Sequence, residues 1–157
     1  MNSGNRLHSA TDGALKLNRD ITSVGFDVGL ILFSTEAELV CAPTRTGIES
    51  SLQGITCTGS TNLTAALRLA LSNLSDRRQT RRVVIVATDG YPDDADTALE
   101  IAAVVKTEGI EILVVGTDDA DRRFLEKLAS RPESAIVTSG SQIGTGIVAV
   151  SKLLLPP

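Results

Sequence analysis

Aromatic residues are scarce in this chain of 157 residues. Tryptophan is absent, and one tyrosine and three phenylalanines bring the aromatic share to 3%. Hydrophobic residues still make up 42% of the sequence and charged residues 22%, a balance typical of a folded domain. The core must therefore consist of valine, isoleucine, leucine and alanine, which favours parallel strands buried on both faces. The length suits one α/β domain over residues 1–157.

Cysteine, histidine and basic patches are equally scarce. Cys41 and Cys57 do not make a disulfide framework, and we expect reduced thiols. A zinc site is not expected either, because His8 is the only histidine and no Cys-x-x-Cys occurs. The formal net charge is -4, and no stretch combines basic and aromatic residues, so we predict no nucleic-acid partner. The arginines at positions 77, 78, 81 and 82 are interpreted as a solvated loop.

Long apolar runs are also missing. No run is long enough to span a membrane, and residues 1–6 lack the apolar core of a signal peptide. From the sequence as it stands, we expect a cytoplasmic protein without a membrane partner.

Short apolar runs alternate with helical periods along the chain. Strands are predicted at residues 26–33, 37–41, 83–88, 110–115 and 135–137. Helices are predicted at residues 7–23, 63–74, 94–108, 121–130 and 143–155, with a short helical turn at 47–52. The tight link at 34–36 indicates a hairpin with an antiparallel edge strand. This order predicts an α/β fold with a doubly wound, mostly parallel sheet, one antiparallel edge strand and helices on both faces.

Polar residues follow one strand and precede one helix where a ligand is expected in such sheets. Asp89 ends the strand at 83–88, and Ser60 and Thr61 precede the helix that begins at Leu63. One carboxylate with hydroxyls can form part of a Mg²⁺ site, because Mg²⁺ prefers oxygen ligands and keeps several waters. The same residue types are also ordinary helix caps and turn residues. On these residues alone, both interpretations stay open.

Two of these motifs resemble a known metal site. Gly59–Leu63 and Thr88–Gly90 resemble the second and third motifs of the metal-ion-dependent adhesion site in the von Willebrand factor A (vWA) family. Val28–Ser34 resembles the second strand of that family. The similarity covers nearly the whole chain, in the family's order and spacing. It implies a three-layer, Rossmann-like vWA fold and a non-enzymatic protein–protein interaction module.

The resemblance also implies a ligand set. In the family, Mg²⁺ or Mn²⁺ is held by an Asp-x-Ser-x-Ser loop after the first strand, by a threonine of the second motif and by an aspartate of the third. An acidic residue of the partner protein completes the coordination. The resemblance therefore implies Thr61 and Asp89 as metal ligands, no catalytic residues, and a partner-binding rim. The rim residues are Ser60, Asn62, Gly90 and Tyr91.

The first motif departs from the family. Two alignments with the first motif are possible. One sets Met1–Asn5 against Asp-x-Ser-x-Ser and loses the aspartate. The other, which we prefer, sets Met1 against the methionine that often follows that motif. We therefore expect a domain that is N-terminally truncated relative to the family, with an incomplete metal site. We predict weak or absent binding of Mg²⁺ or Mn²⁺ by this chain, and a metal site in a longer form.

A missing first strand leaves a vacancy in the centre of the sheet, between the strands that begin near Val28 and Val83. Four or five large buried side chains, at roughly 1.5–3 kcal/mol each, approach the total stability of a domain, about 5–15 kcal/mol. Three arrangements stay open, in order of preference. The natural protein is longer, the two flanking strands pair directly, or another copy or a partner supplies a strand. The last includes self-association through the open centre.

Two other functions compete with the vWA interpretation. One is a metal-independent structural scaffold. The other is an enzyme acting on a nucleotide or phosphoryl substrate, but no Gly-x-Gly-x-x-Gly follows a strand and no Gly-Lys-Ser/Thr occurs. The glycine-rich stretch Gly140–Gly146 is interpreted as a flexible helix entry rather than a phosphate cradle.

Overall fold

The computed structural model describes residues 3–56, 60–78 and 80–157, so Cys57 and the motif residue Gly59 lie outside the described residues. The helices are α1 (Ser3–Ser23), α2 (Leu63–Leu74), α3 (Ala95–Thr107), α4 (Arg122–Leu128) and α5 (Ile143–Ser151). The strands are β1 (Val28–Phe33), β2 (Ala37–Thr44), β3 (Val83–Thr88), β4 (Glu111–Thr117) and β5 (Ala135–Thr138). Short 3-10 helices lie at Glu49–Leu52, Pro132–Ser134 and Gly140–Gln142. These elements confirm the predicted order, although α5 ends earlier than predicted. No helix in the described ranges is long and apolar enough to cross a membrane.

Polar caps set the helix boundaries. The Asn62 side chain accepts the N–H of Ala65 at 3.1 Å, and the Asp94 side chain accepts the N–H of Thr97 at 3.1 Å. Each cap satisfies a backbone donor that a helix start leaves unpaired. Helix α3 is followed by Gly109 at φ +82°, the left-handed conformation that ends many helices.

The strands form two hydrogen-bonded groups. Strand β1 pairs antiparallel with β2, which confirms the predicted hairpin edge, and β3, β4 and β5 form a parallel sheet in that order. Within the described ranges, β1 and β3 do not pair with each other. Direct pairing of these strands, the second of the three expected arrangements, is therefore wrong. Helix α2 packs on both β1 and β2. We call the space between β1 and β3 the central slot.

Two hydrophobic cores lie on opposite faces of the strands. Helices α2, α3 and α4 cover one face, and α1 and α5 cover the other. Strand β4 serves both cores, because Ile112 and Val114 point to the first and Leu113 and Val115 to the second. All four side chains are fully buried. The result is a helix–sheet–helix arrangement, which confirms the predicted class.

Helices α1 and α5 cross closely at glycines. A Cβ atom on Gly13 would lie 2.5 Å from the Gly144 oxygen, and one on Gly144 would meet the Ser9 oxygen. The Ser9 hydroxyl also accepts the N–H of Gly144 at 3.0 Å. The glycine-rich stretch 140–146 leads into α5, which begins at Ile143, as the prediction of a helix entry has it, and its Gly144 also packs against α1.

The arginine-rich loop before β3 is only partly solvated. Arg78 pairs with Glu108 at 3.0 Å on the surface, as expected. Arg82 is buried instead, and its guanidinium donates to the carbonyls of Leu74, at 3.1 Å, and Glu108. These carbonyls lie at the C-terminal ends of α2 and α3, where a cation is favourable.

Candidate functional site

The two predicted metal motifs meet at the carboxyl edge of the strands. The loop before α2 is attached to the end of β1, since the N–H of Asn62 donates to the Ser34 oxygen at 2.7 Å. The Asn62 side-chain amide also donates to the Thr35 oxygen at 3.1 Å. The same loop is attached to the end of β3. Asp93 donates its N–H to the Thr61 oxygen at 2.9 Å, and its carboxylate accepts the Thr61 N–H at 2.9 Å.

These contacts bring Thr61 and Asp89 to one place. The Thr61 hydroxyl lies 3.8 Å from the position that a Cβ atom on Gly90 would occupy, directly beside Asp89. The Asp89 side chain is 54% exposed, so its carboxylate can meet a ligand from solvent. The Thr61 loop is fixed by its reciprocal hydrogen bonds with Asp93, so this loop loses little conformational entropy when a ligand binds.

The other four rim residues differ in what they can offer. Ser60 is exposed, and its hydroxyl lies 3.4 Å from that of Thr35. Tyr91 is 64% exposed and offers an aromatic surface next to Asp89. The polar groups of Asn62 are already used in the α2 cap and in its contact with Thr35. Ser60, Gly90 and Tyr91 therefore remain as contact surface, whereas Asn62 shapes the loop.

Arg6 is a site residue that the sequence analysis missed. Its guanidinium lies 2.6 Å from the Asp119 carboxylate and 3.6 Å from that of Asp89. The hydrogen bond to Asp119, followed by the charges of Asp119 and Asp89, raises the pKa of Arg6 above its ordinary value. A fixed positive charge therefore lies beside the predicted metal ligand Asp89.

The Arg6 guanidinium is packed tightly against Gly140. A Cβ atom on Gly140 would lie 2.5 Å from its Nε atom, so any larger residue there would displace it. The Nε atom is buried and has no hydrogen-bond partner within the described part of the chain. Because the side chain is 21% exposed, its position is set mainly by packing and by the two carboxylates.

A sequence signal for this contact existed. Arg6 lies in the first turn of α1, which contains no acidic residue, and the helix dipole disfavours a cation there. A basic residue in that position indicates a carboxylate partner. Asp119 follows β4 and so reaches the same edge as Asp89. Asp119 lies in a turn with its side chain 56% exposed, and it pairs with Arg6 from there.

The site offers little to a metal ion. Asp89 and Thr61 supply one carboxylate and one hydroxyl, which suits a hard cation that keeps most of its waters. The Asp93 carboxylate is occupied by a backbone N–H, and Asp119 is paired with Arg6. No cluster of three or more His, Cys, Asp or Glu residues that could hold a metal occurs among the described residues. The residues present fit a divalent cation only in part.

Comparisons with known proteins agree with this architecture. The family model described as von Willebrand factor type A domain matches residues 6–147. Matrilin-4 of Mus musculus is 29% identical over 118 residues, which cover 67% of this chain and 19% of that protein. The chain thus spans less than a quarter of this relative's length.

Solved structures share the fold at low identity. Proximal thread matrix protein 1 from the mussel byssus superposes with a TM-score of 0.83 at 20% identity, covering 97% of this chain and 43% of that one. The mussel protein has also been solved with zinc in its MIDAS motif. Manganese-loaded TRAP protein of Plasmodium vivax has a TM-score of 0.69 at 22% identity, covering 93% and 62% of the two chains. With the family model matching most of its length, the chain belongs to the von Willebrand factor type A domain family.

Proposed function

We propose that this chain is a non-enzymatic protein-recognition module that binds its partner on the rim. The observation that carries the proposal is the approach of the Thr61 hydroxyl to the loop that holds the exposed Asp89 and the exposed Tyr91. The Thr61–Asp93 hydrogen bonds fix this edge in advance, at 2.9 Å each. An exposed tyrosine beside a charged group is typical of protein-binding surfaces, because its ring gives contact area at low entropic cost.

We further propose that Arg6 weakens metal binding at this rim. A divalent ion beside Asp89 would be repelled by the guanidinium 3.6 Å away. It would also compete with Arg6 for the same carboxylate. Manganese in TRAP and zinc in the mussel protein support a metal site in this family, but here we expect Mg²⁺ or Mn²⁺ affinity weaker than micromolar.

A metal-independent scaffold is the second candidate, and Arg6 favours it. The guanidinium pairs with the carboxylates of Asp119 and Asp89, so it balances part of the negative charge at this edge without a metal. The phosphoryl-enzyme alternative has less support, because the glycines of 140–146 are used in packing against Arg6 and α1.

Metal titration calorimetry tests the role of Arg6. We expect no micromolar binding of Mn²⁺ to the unchanged chain, and affinity higher by on the order of tenfold in Arg6→Ala, because one repelling charge is removed. Adding Asp89→Asn to Arg6→Ala should abolish that gain. The matched control is Arg19→Ala. It removes another arginine of α1, one that pairs with Glu49 and not with Asp89. Micromolar affinity in the unchanged chain, or no gain in Arg6→Ala, would contradict the proposal.

Partner capture with and without EDTA tests the recognition role. We expect the Tyr91→Ala and Asp89→Ala variants to capture less partner protein than the unchanged chain. The control variant Lys16→Ala, which changes an exposed residue in the middle of α1, should capture as much. Capture that survives EDTA supports the metal-independent form. Capture that none of the rim variants reduces would count against the rim as the binding surface.

A further inference from the structure

A hollow lies at the amino-terminal edge of the parallel sheet. It opens to solvent, has a volume of about 400 Å³ and is bounded by the connection from α3 to β4 and by the segment that follows α4. We call it the basal hollow, and its lining residues are Lys106, Gly109, Ile110, Glu111, Ser130 and Arg131. Glu111 begins β4, whereas Asp89 follows the end of the parallel strand β3, so the basal hollow and the rim lie at opposite edges.

Lys106 brings a positive charge to the basal hollow that no carboxylate of the described residues balances. Its ammonium group donates to the Lys127 carbonyl in the last turn of α4 at 2.7 Å, and this contact holds the side chain between two helices. Partial burial lowers the pKa of Lys106, and no neighbouring carboxylate offsets that effect. An ammonium group has three donors, so two remain for a ligand.

Ser130 offers a further donor from the segment that follows α4. Its hydroxyl oxygen accepts the N–H of Ile112 at 2.7 Å, and its own N–H donates to the Ile112 oxygen at 2.9 Å. These two hydrogen bonds fix the residue against β4. They use the hydroxyl only as an acceptor, so its O–H remains available to a ligand.

Arg131 and Glu111 complete the polar lining. One oxygen of the Glu111 carboxylate lies 3.0 Å from the guanidinium of Arg81, and the other lies 3.6 Å from that of Arg131. The longer contact exceeds the length of a hydrogen bond. The N–H groups of Arg131 therefore remain available to a ligand.

The charges at the basal hollow do not balance. Arg81, Lys106 and Arg131 each carry a positive charge, and Glu111 balances one of the three, which leaves a surplus of two. Glu108, at the end of α3, is already paired with another arginine at 3.0 Å. A phosphate monoester carries about −1.5 to −2 charges at neutral pH and three acceptor oxygens, so it matches this surplus. A carboxylate or a phosphodiester, with a single negative charge, would balance only half of it.

We propose that the basal hollow binds a phosphate group in its dianionic form, as inorganic phosphate or as the terminal group of a phosphomonoester. Lys106, Ser130 and Arg131 supply the donors, and charge-assisted hydrogen bonds to a phosphate are the strong ones. The charge match favours a monoester over the diester backbone of a nucleic acid. The site lies at the opposite edge from the rim, so this binding is independent of the function proposed above.

An NMR titration of the unchanged chain tests the proposal without relying on variants. The probes are inorganic phosphate, the monoester glycerol 2-phosphate and the diester dimethyl phosphate. We expect saturable shifts of the Lys106, Ser130 and Arg131 signals with the first two probes, with a dissociation constant on the order of 1 mM or lower. The signals of the rim residues Asp89 and Tyr91 should not move.

The three probes also distinguish the sources of the phosphate group. Tighter binding of the monoester would assign the site to an esterified ligand, and equal or weaker binding of the monoester would assign it to inorganic phosphate. Dimethyl phosphate should bind at least roughly fivefold more weakly than the monoester, because it has one charge fewer. Equal binding of the diester, or shifts spread evenly over all the arginines and lysines, would overturn the proposal.

A change of pH separates the dianion from the monoanion. A phosphomonoester has its second pKa near 6, so lowering the pH from about 7.5 to about 5.5 should weaken its binding about fourfold. Sulfate keeps both charges over this range and should bind equally at both pH values. The lining of the basal hollow contains no histidine, so its own charge stays the same. A monoester affinity that does not fall at low pH would contradict the requirement for a dianion.

Two lysine variants identify the group that holds the phosphate. Lys106→Met keeps the aliphatic stem and removes the charge, so we expect affinity for glycerol 2-phosphate to fall by on the order of tenfold. The matched control is Lys127→Met, which removes an exposed lysine from the next helix and leaves the carbonyl that Lys106 contacts. It should change the affinity by less than about twofold, because its side chain is outside the lining. Equal losses in the two variants would show a general charge effect and overturn the site.

Discussion

Strands β4 and β1 have similar apolar sequences and different surroundings. Strand β4 reads Glu-Ile-Leu-Val-Val-Gly-Thr and is hydrogen-bonded to a neighbour on each side. Strand β1 reads Val-Gly-Leu-Ile-Leu-Phe and is paired only with β2 among the strands described. Residues 112–115 are 0% exposed, whereas only Val28 of β1 is buried.

The difference shows that apolar composition and burial are separate properties of a strand. Composition indicates which residues gain free energy when they leave water, but a second neighbouring strand is needed to bury them fully. In the β3–β4–β5 sheet the middle strand β4 has this neighbour, and we call this sheet with its helices the closed half. The β1–β2 hairpin forms an open half that is held by helices and loops.

The largest expected effect comes from truncating one leucine in each half. Leu113 of β4 and Leu30 of β1 pack against the same core. We expect Leu113→Ala to lower the free energy of unfolding by about 2–5 kcal/mol, because it leaves a cavity in a fully buried site. Leu30→Ala should cost about half as much, since its side chain keeps part of its contact with water. Urea unfolding followed by circular dichroism measures both. Equal costs would mean that the two halves are equally closed.

Much of this fold is predictable from the sequence because local signals agree with the final structure. Apolar runs predicted the strands, and the tight link before Ala37 predicted the hairpin. Asn62 and Asp94 cap α2 and α3, and both are residue types that favour helix starts. Continuity of the sheet is different, because it depends on how α2 and the loops hold β1 relative to β3.

The meeting of Thr61 with the Asp89 loop was predictable because both lie in short, local motifs. Thr61 and Asp89 reach one edge because each adjoins the end of a strand or the start of a helix. Arg6 was missed because its partners Asp89 and Asp119 are more than 80 positions away along the chain. The one local signal was its position in the first turn of α1, where the helix dipole disfavours a positive charge. Such a charge needs carboxylates from elsewhere in the chain to stabilise it.

The next prediction tests how the open half is attached to α1. Asn18 is buried, and its side-chain oxygen accepts the N–H of Ile48, just before the 3-10 helix that follows β2, at 3.1 Å. Asn18→Ala should lower the free energy of unfolding by about 1–3 kcal/mol, because a buried donor loses its partner. The neighbouring Arg19→Ala removes an exposed ion pair with Glu49 between the same two elements, and should cost about 0–1 kcal/mol. If urea unfolding gave both variants the same cost, the buried hydrogen bond would not be what attaches the hairpin.

The smallest effects distinguish the two helix caps by their response to pH. Asn62 caps α2 beside the central slot and Asp94 caps α3 in the closed half. We expect Asn62→Ala to cost about 1 kcal/mol at any pH where the fold persists, because an amide does not titrate. The hydroxyl and then the N–H of Thr97 lower the pKa of Asp94, so this carboxylate stabilises the folded state while it is ionised. The cost of Asp94→Ala should therefore be fully present above about pH 4 and shrink as the pH falls through the lowered pKa.

Urea melts of both variants at neutral and at low pH measure the two costs. A cost for Asp94→Ala that does not change with pH would mean that its hydrogen bonds do not depend on its charge, and the two caps would then be equivalent.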